Sequence, residues 1–277
     1  MKVVSLFDGI SCAYVALQKA GIPITSYHAY EIDKYAIQVS KKNHPDIVHC
    51  GDVRGFKEPI ECDILIGGSP CIDLSIAKRD RKGLEGTYSG LFWEYVRIKK
   101  LLKPKYFILE NVFCMPDSDR DIISKEMGVQ PVMFNASLVS AQRRRRYFWT
   151  NIPFTLPADR GILLSTILQD QVDQKFYSKS TLEELNKKKH SQPYRVYDTK
   201  GKSVCLIANG LTGLYITQRG IRRLTPLECE RLQGLPDNYT SDISDTQRYR
   251  CCGNAFNCDV VAHILLGLRE QTVSPST

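Results

Sequence analysis

The chain has no long apolar run, no Cys-x-x-Cys spacing and only five histidines, and each shortage closes off a class of function. No stretch approaches the roughly 18 apolar residues that a bilayer span needs, and nothing like a secretory leader precedes Val3. Ten cysteines without paired spacing or a histidine-rich partner set argue against both a disulfide framework and a zinc site. A soluble, intracellular, metal-free protein is expected, with no membrane partner. Internal repeats are also missing. What remains is an ordinary globular composition over 277 residues, enough for one large core or for a main domain with a smaller appendage. The formal charge of +8 favours a polyanionic partner, although alone it decides little.

Residues 3–7 read as an apolar strand, followed by Asp8-Gly9-Ile10-Ser11 and a helical pattern over 12–20 closed by Gly21. A strand, tight turn and helix of this kind lets backbone amides approach a ligand. Glu31 ends a second strand candidate twenty-two positions after Gly9, a spacing that suits an acid accepting from ribose hydroxyls. The nucleotide fingerprint is incomplete, because Ser11 stands where a second small residue is common. A helix over 33–40, a strand over 47–50 and the turn Gly51-Asp52-Val53 follow. Asp52 is either a ligand contact or a turn former.

Residues 64–66 form a short apolar run ended by Gly67, Gly68 and Pro70, which presents Cys71 at the carboxyl end of a buried strand. Free cysteine is often merely buried, so Cys71 alone is ambiguous. Its company is informative. A second apolar run, 106–112, contains Glu110-Asn111-Val112, and further on comes Gln142-Arg143-Arg144-Arg145-Arg146-Tyr147. Helical spacing over 91–102 and 117–127, with a further strand over 131–137, continues a strand and helix alternation that predicts a doubly wound, largely parallel α/β sheet.

Ser-Pro-Cys, Glu-Asn-Val and Gln-x-Arg-x-Arg, in that order, resemble the motif series of the cytosine C5 DNA methyltransferases. The likeness in residues 67–75 and 146–151 is greatest to the catalytic domains of the vertebrate de novo enzymes. The resemblance implies a Rossmann-like class I methyltransferase sheet with a small target-recognition domain, S-adenosylmethionine as cofactor and double-stranded DNA as partner. It also implies roles for particular residues. Cys71 would be the nucleophile, Glu110 would act on the N3 edge of a flipped cytosine, and Arg144 and Arg146 would steady the base and the glutamate. Phe7, Asp8, Gly9, Glu31, Ile32, Asp52, Val53, Pro70, Leu91 and Asn254 would hold the cofactor. Ser75, Lys78, Arg79, Arg81 and Gln142 would serve DNA binding, the first four in a polar segment, 76–90, expected to close over the substrate or to border that segment. Ile72, Ser11 and Cys205 depart from the family pattern.

Beyond residue 152 the alternation breaks down, which suggests domains at 1–154, completed by 249–277, and at 155–248. Thr225-Pro226-Leu227-Glu228 reads as a capping box with proline at the first helical position. The lysines at 187–189 read as a solvated helix face rather than a groove. The segment between residues 152 and 221 is the size of one small reading module, so a recognition site of roughly two to five base pairs is expected. A tRNA methyltransferase of the same fold and an inactive DNA-binding paralogue are the competing readings. The absence of a Cys-Phe-Thr signature counts against the first; retention of Cys71, Glu110, Arg144 and Arg146 counts against the second.

Overall fold

A computed structural model of the chain describes residues 1–57, 59–71, 74, 83–87, 89–208, 210 and 212–273, the last four by backbone only. The chain packs as two units. One comprises Met1–Phe134, Arg145–Leu156 and Val260–Thr277, the other Asn135–Arg144 and Pro157–Asp259.

The first unit alternates β1 (Lys2–Leu6), α1 (Cys12–Lys19), β2 (Ser26–Tyr30), α2 (Lys34–Asn43), β3 (Val48–His49), β4 (Ile64–Gly67), α3 (Phe92–Leu102), β5 (Tyr106–Val112) and α4 (Asp117–Met127), then adds β6 (Val132–Asn135) and β7 (Arg145–Thr150). The sheet order is β3-β2-β1-β4-β5-β7-β6. The first five strands are mutually parallel, while β7 runs antiparallel to β5, so the expected doubly wound α/β sheet is present as a mixed one. Val3, Val4, Ile64, Leu65 and Ile66 have no exposed surface, as strands covered on both faces require.

Local chemistry sets the helix ends. Asp33 caps α2 by accepting from the Tyr35 amide at 2.9 Å, and α4 stops at Gly128 in the left-handed conformation. Helix α3 is stitched to the sheet by Tyr95, whose buried hydroxyl donates to the carbonyls of Leu65 and Ile108. Trp149 is wholly buried and its indole N–H donates to Ser124 Oγ at 3.0 Å. Truncating such a side chain to alanine costs about 3–5 kcal/mol.

The second unit holds α5 (Leu182–Lys187), β8 (Val196–Asp198), β9 (Leu214–Thr217), β10 (Gly220–Arg222), α6 (Pro226–Leu232) and α7 (Asp245–Asn254). Its three-stranded sheet runs β10-β9-β8 and packs over a core that includes Leu164, Phe176, Leu206, Tyr215, Leu232 and Tyr249. The capping box is formed as the sequence predicts: Thr225 Oγ1 accepts from the Glu228 amide and Glu228 accepts from the Thr225 amide. Glu228 carries a second duty, a two-pronged pair with Arg222 at 2.7 and 2.8 Å in which neither side chain exceeds 2% exposure.

Packing draws the boundary elsewhere than at residues 154 and 248. Residues 135–144 belong with the second unit because Gln142 bridges to Ser203 and Arg144 bonds its carbonyls. Residues 249–259 join it through Tyr249 and Cys252 in its core. The closing helix is α8 (Cys258–Val273). Contrary to the sequence reading, one stretch, Asp245–Arg269, is long and apolar enough by composition to span a bilayer. It is interrupted between α7 and α8, however, and 61% of its most apolar part is buried inside the protein.

Candidate active site at the carboxyl edge of the main sheet

Because the first five strands are parallel, their carboxyl ends lie along one edge, and most of the residues singled out in the first 112 positions are strung along it. The turn 7–11 follows β1, Glu31 and Ile32 follow β2, Asp52 follows β3, and residues 68–71 follow β4. Strand β1 lies between β2 and β4, where the strand order reverses, and open α/β sheets bind ligands at such a point.

Cys71 is half-buried on a turn tied down on both sides. Ahead of it, Gly67 pairs with Leu109, which brings Gly68 against Glu110; a Cβ on Gly68 would lie 3.0 Å from Glu110 Oε2. Asn111 Nδ2 donates to Ser69 Oγ at 3.1 Å and to the Ser69 carbonyl at 3.3 Å. Beyond it, the Leu74 amide donates to the Cys71 carbonyl at 3.0 Å, with Leu74 sealed in the core. Glu110 meets Arg146, Nε to Oε1 at 2.9 Å, with 14% and 17% of the two side chains exposed. Register explains the meeting. Arg146 lies opposite Val112 across the antiparallel pair, so it shares a face with Glu110 as a diagonal neighbour within reach of a long side chain.

On the other side of β1, the Gly9 amide donates to Glu31 Oε2 at 2.8 Å, and Glu31 Oε1 accepts from the amides of Ile32 and Asp33 at 2.8 Å each. Gly9 has nothing within 4 Å of where a Cβ would lie, and Ile32 is 69% exposed. An open cradle, an acid with two anchored oxygens and a bare apolar side chain fit a ligand that combines a ribose with a flat aromatic base. Phe7 and Leu91 pack beside the core, and Pro70 is half-buried. The Asp8 carboxylate is turned inward to Ser11 and Tyr27, so only its backbone is left for the cradle. The Val53 side chain is likewise in the core. Asp52 caps the next turn by accepting from the Arg54 amide, and the Arg54 guanidinium holds its carboxyl below the usual range.

The C-5 cytosine-specific DNA methylase model matches residues 1–200 and 134–269. The chain belongs to that family. The methylase is 30% identical over 291 residues to the type II methyltransferase M.NgoBI of Neisseria gonorrhoeae, covering 94% of this chain and 90% of that one. To the type II methyltransferase M.HhaI of Haemophilus parahaemolyticus it is 27% identical over 307 residues, 95% and 93% of the two chains. Among solved structures, the Entamoeba histolytica methyltransferase EhMeth superposes with a TM-score of 0.80 at 16% identity over 99% of each chain. The S. pombe Dnmt2 methyltransferase gives 0.75 at 17% identity over 99% and 100%. The fold is therefore that of the class I methyltransferases. The methylase transfers a methyl group from S-adenosylmethionine to C5 of cytosine in DNA.

Not every residue expected to serve this methylase lies where the sequence suggested. Gln142 has no exposed surface; its amide donates to the Leu232 carbonyl and to Gln233, and its carbonyl oxygen accepts from the Leu206 amide. The Gln142 side chain, expected to serve DNA binding, is thus enclosed within the second unit. Arg144 is 3% exposed, and its Nη atoms donate to the carbonyls of Leu206, Gly253 and Ala255 and to Cys205 Sγ. These bonds join the Gln-x-Arg-x-Arg segment to residues 253–255. Asn254 ends α7 with its side chain exposed. Ile72, Ser75, Lys78, Arg79 and Arg81 lie outside the described residues. Among the described residues no group of three or more histidine, cysteine or acidic side chains is placed to hold a metal.

Two features went unread in the sequence. Asn111 was quoted only as part of a tripeptide, yet it ties the Glu110 strand to the Cys71 loop. Its position directly after Glu110, on the opposite face of the strand, was the available signal. The pairing of Arg222 with Glu228 had no signal beyond the capping box.

Proposed function

We propose that Cys71 is the nucleophile of the methylase, that Glu110 acts on the N3 edge of the target cytosine, and that Arg146 orients Glu110. The observation that carries this reading is the convergence of the Cys71 loop and the Glu110–Arg146 pair on one strand end. Cytosine C5 is a weak nucleophile, so the ring needs prior activation. The Cys71 thiolate adds to C6 while Glu110 hydrogen-bonds or protonates N3, which pushes electron density onto C5. S-adenosylmethionine, when bound, supplies the electrophilic methyl group. The C5 proton then leaves to a base and the Cys71 sulfur is expelled as thiolate, which restores the aromatic ring. The target base has to leave the stack for this, at about a few kcal/mol.

Gly9, Glu31 and Ile32 are the residues best suited to the cofactor, with Asp52 and Val53 acting through the turn they form and Phe7, Pro70 and Leu91 as apolar neighbours. The role of Asn254 is carried by the resemblance of residues 253–255. The partner is double-stranded DNA with a short recognition site, and the setting is the interior of a prokaryotic or viral host. The sequence relatives M.HhaI and M.NgoBI, matched over nine-tenths or more of the chain, are bacterial type II enzymes. They and the Dnmt2 structure, not the vertebrate de novo enzymes, are the relatives the chain matches, which corrects the expected greatest likeness to the latter. Bisulfite sequencing of plasmid DNA and total RNA from cells expressing the protein tests the substrate. Conversion-resistant cytosines in a short DNA motif are expected, and methylation confined to RNA would overturn the reading.

A further inference from the structure

Backbone strain is concentrated in the turn after β1. Phe7, Gly9 and Ser11 all have positive φ, at 56°, 59° and 60°, in a region that side-chain-bearing residues seldom occupy. Ser11 is wholly buried and stands where a second small residue was expected. Its hydroxyl donates to Asp8 Oδ2 at 2.5 Å and lies 2.6 Å from Ser40 Oγ in α2. The other Asp8 oxygen accepts from the Tyr27 hydroxyl of β2 at 2.6 Å, and Ser40 Oγ lies 3.4 Å from His49 Nε2 at the end of β3. Burial pushes the Asp8 carboxyl up to about 6, against hydrogen bonds from Ser11, Ser5 and Tyr27 that pull it down. One hydrogen-bonded chain thus joins the turn after β1 to β2, to α2 and to the end of β3. Networks of this kind rigidify what they connect.

We propose that Ser11 and Ser40 are positioning residues for S-adenosylmethionine: with Asp8 they lock the 7–11 turn onto α2, so that the cradle around Gly9 and Glu31 is set before the cofactor arrives. The proposal rests on the assignment of the 7–11 turn to the cofactor. A turn that had to be ordered on binding would subtract that cost from affinity, and the hydroxyl bridge removes the need. Neither serine touches the reacting atoms, so their loss is read in cofactor affinity and not in turnover at saturation.

The test is calorimetry of S-adenosylmethionine binding to the protein without DNA, on wild type, Ser11→Ala, Ser40→Ala, the double variant and Glu31→Ala. Each serine variant is expected to bind about five- to twentyfold more weakly. The double variant should be no worse than the weaker single, as for residues that act as a unit. In steady-state assays the KM for S-adenosylmethionine should rise by the same factor while kcat and the KM for DNA hold. Should Ser11→Ala fail to fold, Ser40→Ala, which lies outside the turn, carries the test. Affinities within twofold of wild type for the serine variants, with Glu31→Ala weakened, would overturn the lock. If Glu31→Ala also binds like wild type, the assignment of the turn to the cofactor falls instead.

Discussion

Among the arginine–glutamate pairs of the methylase, two, one from each unit, form a contrast in what surrounds them. Arg222 and Glu228 are sealed, at 2% and 0% exposure, with two parallel hydrogen bonds and a capping box sharing the carboxylate. Arg146 and Glu110 meet at a strand end, partly open to solvent, through guanidinium Nε and one carboxylate oxygen. A sealed pair whose atoms are all engaged can only hold structure. A pair partly open to solvent beside a cysteine-bearing loop can be reached by a substrate. The comparison teaches that access from solvent, and not the identity of the pair, separates a candidate site from a brace.

The sharpest test of the open side is Cys71→Ala. Methyl transfer should fall by more than about a thousandfold, and the covalent adduct that wild type forms with 5-fluorocytosine DNA and S-adenosylmethionine should vanish on a denaturing gel. An adduct that survives would move the nucleophile elsewhere.

On the sealed side, Arg222→Met strands a buried carboxylate, a loss of about 3–5 kcal/mol. Thermal unfolding followed by circular dichroism should show a midpoint lower by roughly 10 °C. A drop of only a degree or two would mean the brace is dispensable.

Glu110→Gln and Arg146→Lys should lower kcat by about a hundred- to a thousandfold, with unfolding shifted by no more than about 1 kcal/mol because water reaches the pair. Lysine keeps the charge but loses the planar fork. If Arg146→Lys destabilises the protein as much as Arg222→Met, the contrast between the two pairs collapses.

Glu31→Ala is expected to have the smallest effect, weakening S-adenosylmethionine binding by about tenfold in calorimetry through loss of charged acceptor oxygens, with DNA affinity unchanged in gel shift. Equal losses for both ligands would show that Glu31 supports the fold at large rather than the cofactor edge.

Much of this was legible in the residue order. Strand runs at 3–7, 64–66 and 106–112 carry buried apolar residues whose character is local, and glycine, proline and capping residues mark where they stop. The turn at Gly9, the acid at Glu31 and the loop at Cys71 were therefore placed correctly along one sheet edge without coordinates. The arginine run was not legible in the same way. If residues 142–147 were extended throughout, alternation would put Arg144 and Arg146 on one wall. The strand begins at Arg145, and upstream of it the backbone bridges to Ser203 and turns Arg144 into the second unit.

By itself, then, the sequence determined the order of strands and turns, the family and the place of Cys71 after β4, because these depend on short-range backbone preferences and on residue types at short spacing. Tertiary structure alone decided which arginine meets Glu110, that Gln142 is sealed away from solvent, and that Ser11 completes a hydrogen-bonded chain with Ser40. Each of those contacts joins segments separated by 29 to 91 residues, and register across a sheet, which a one-residue shift would reverse, is not written in either segment alone.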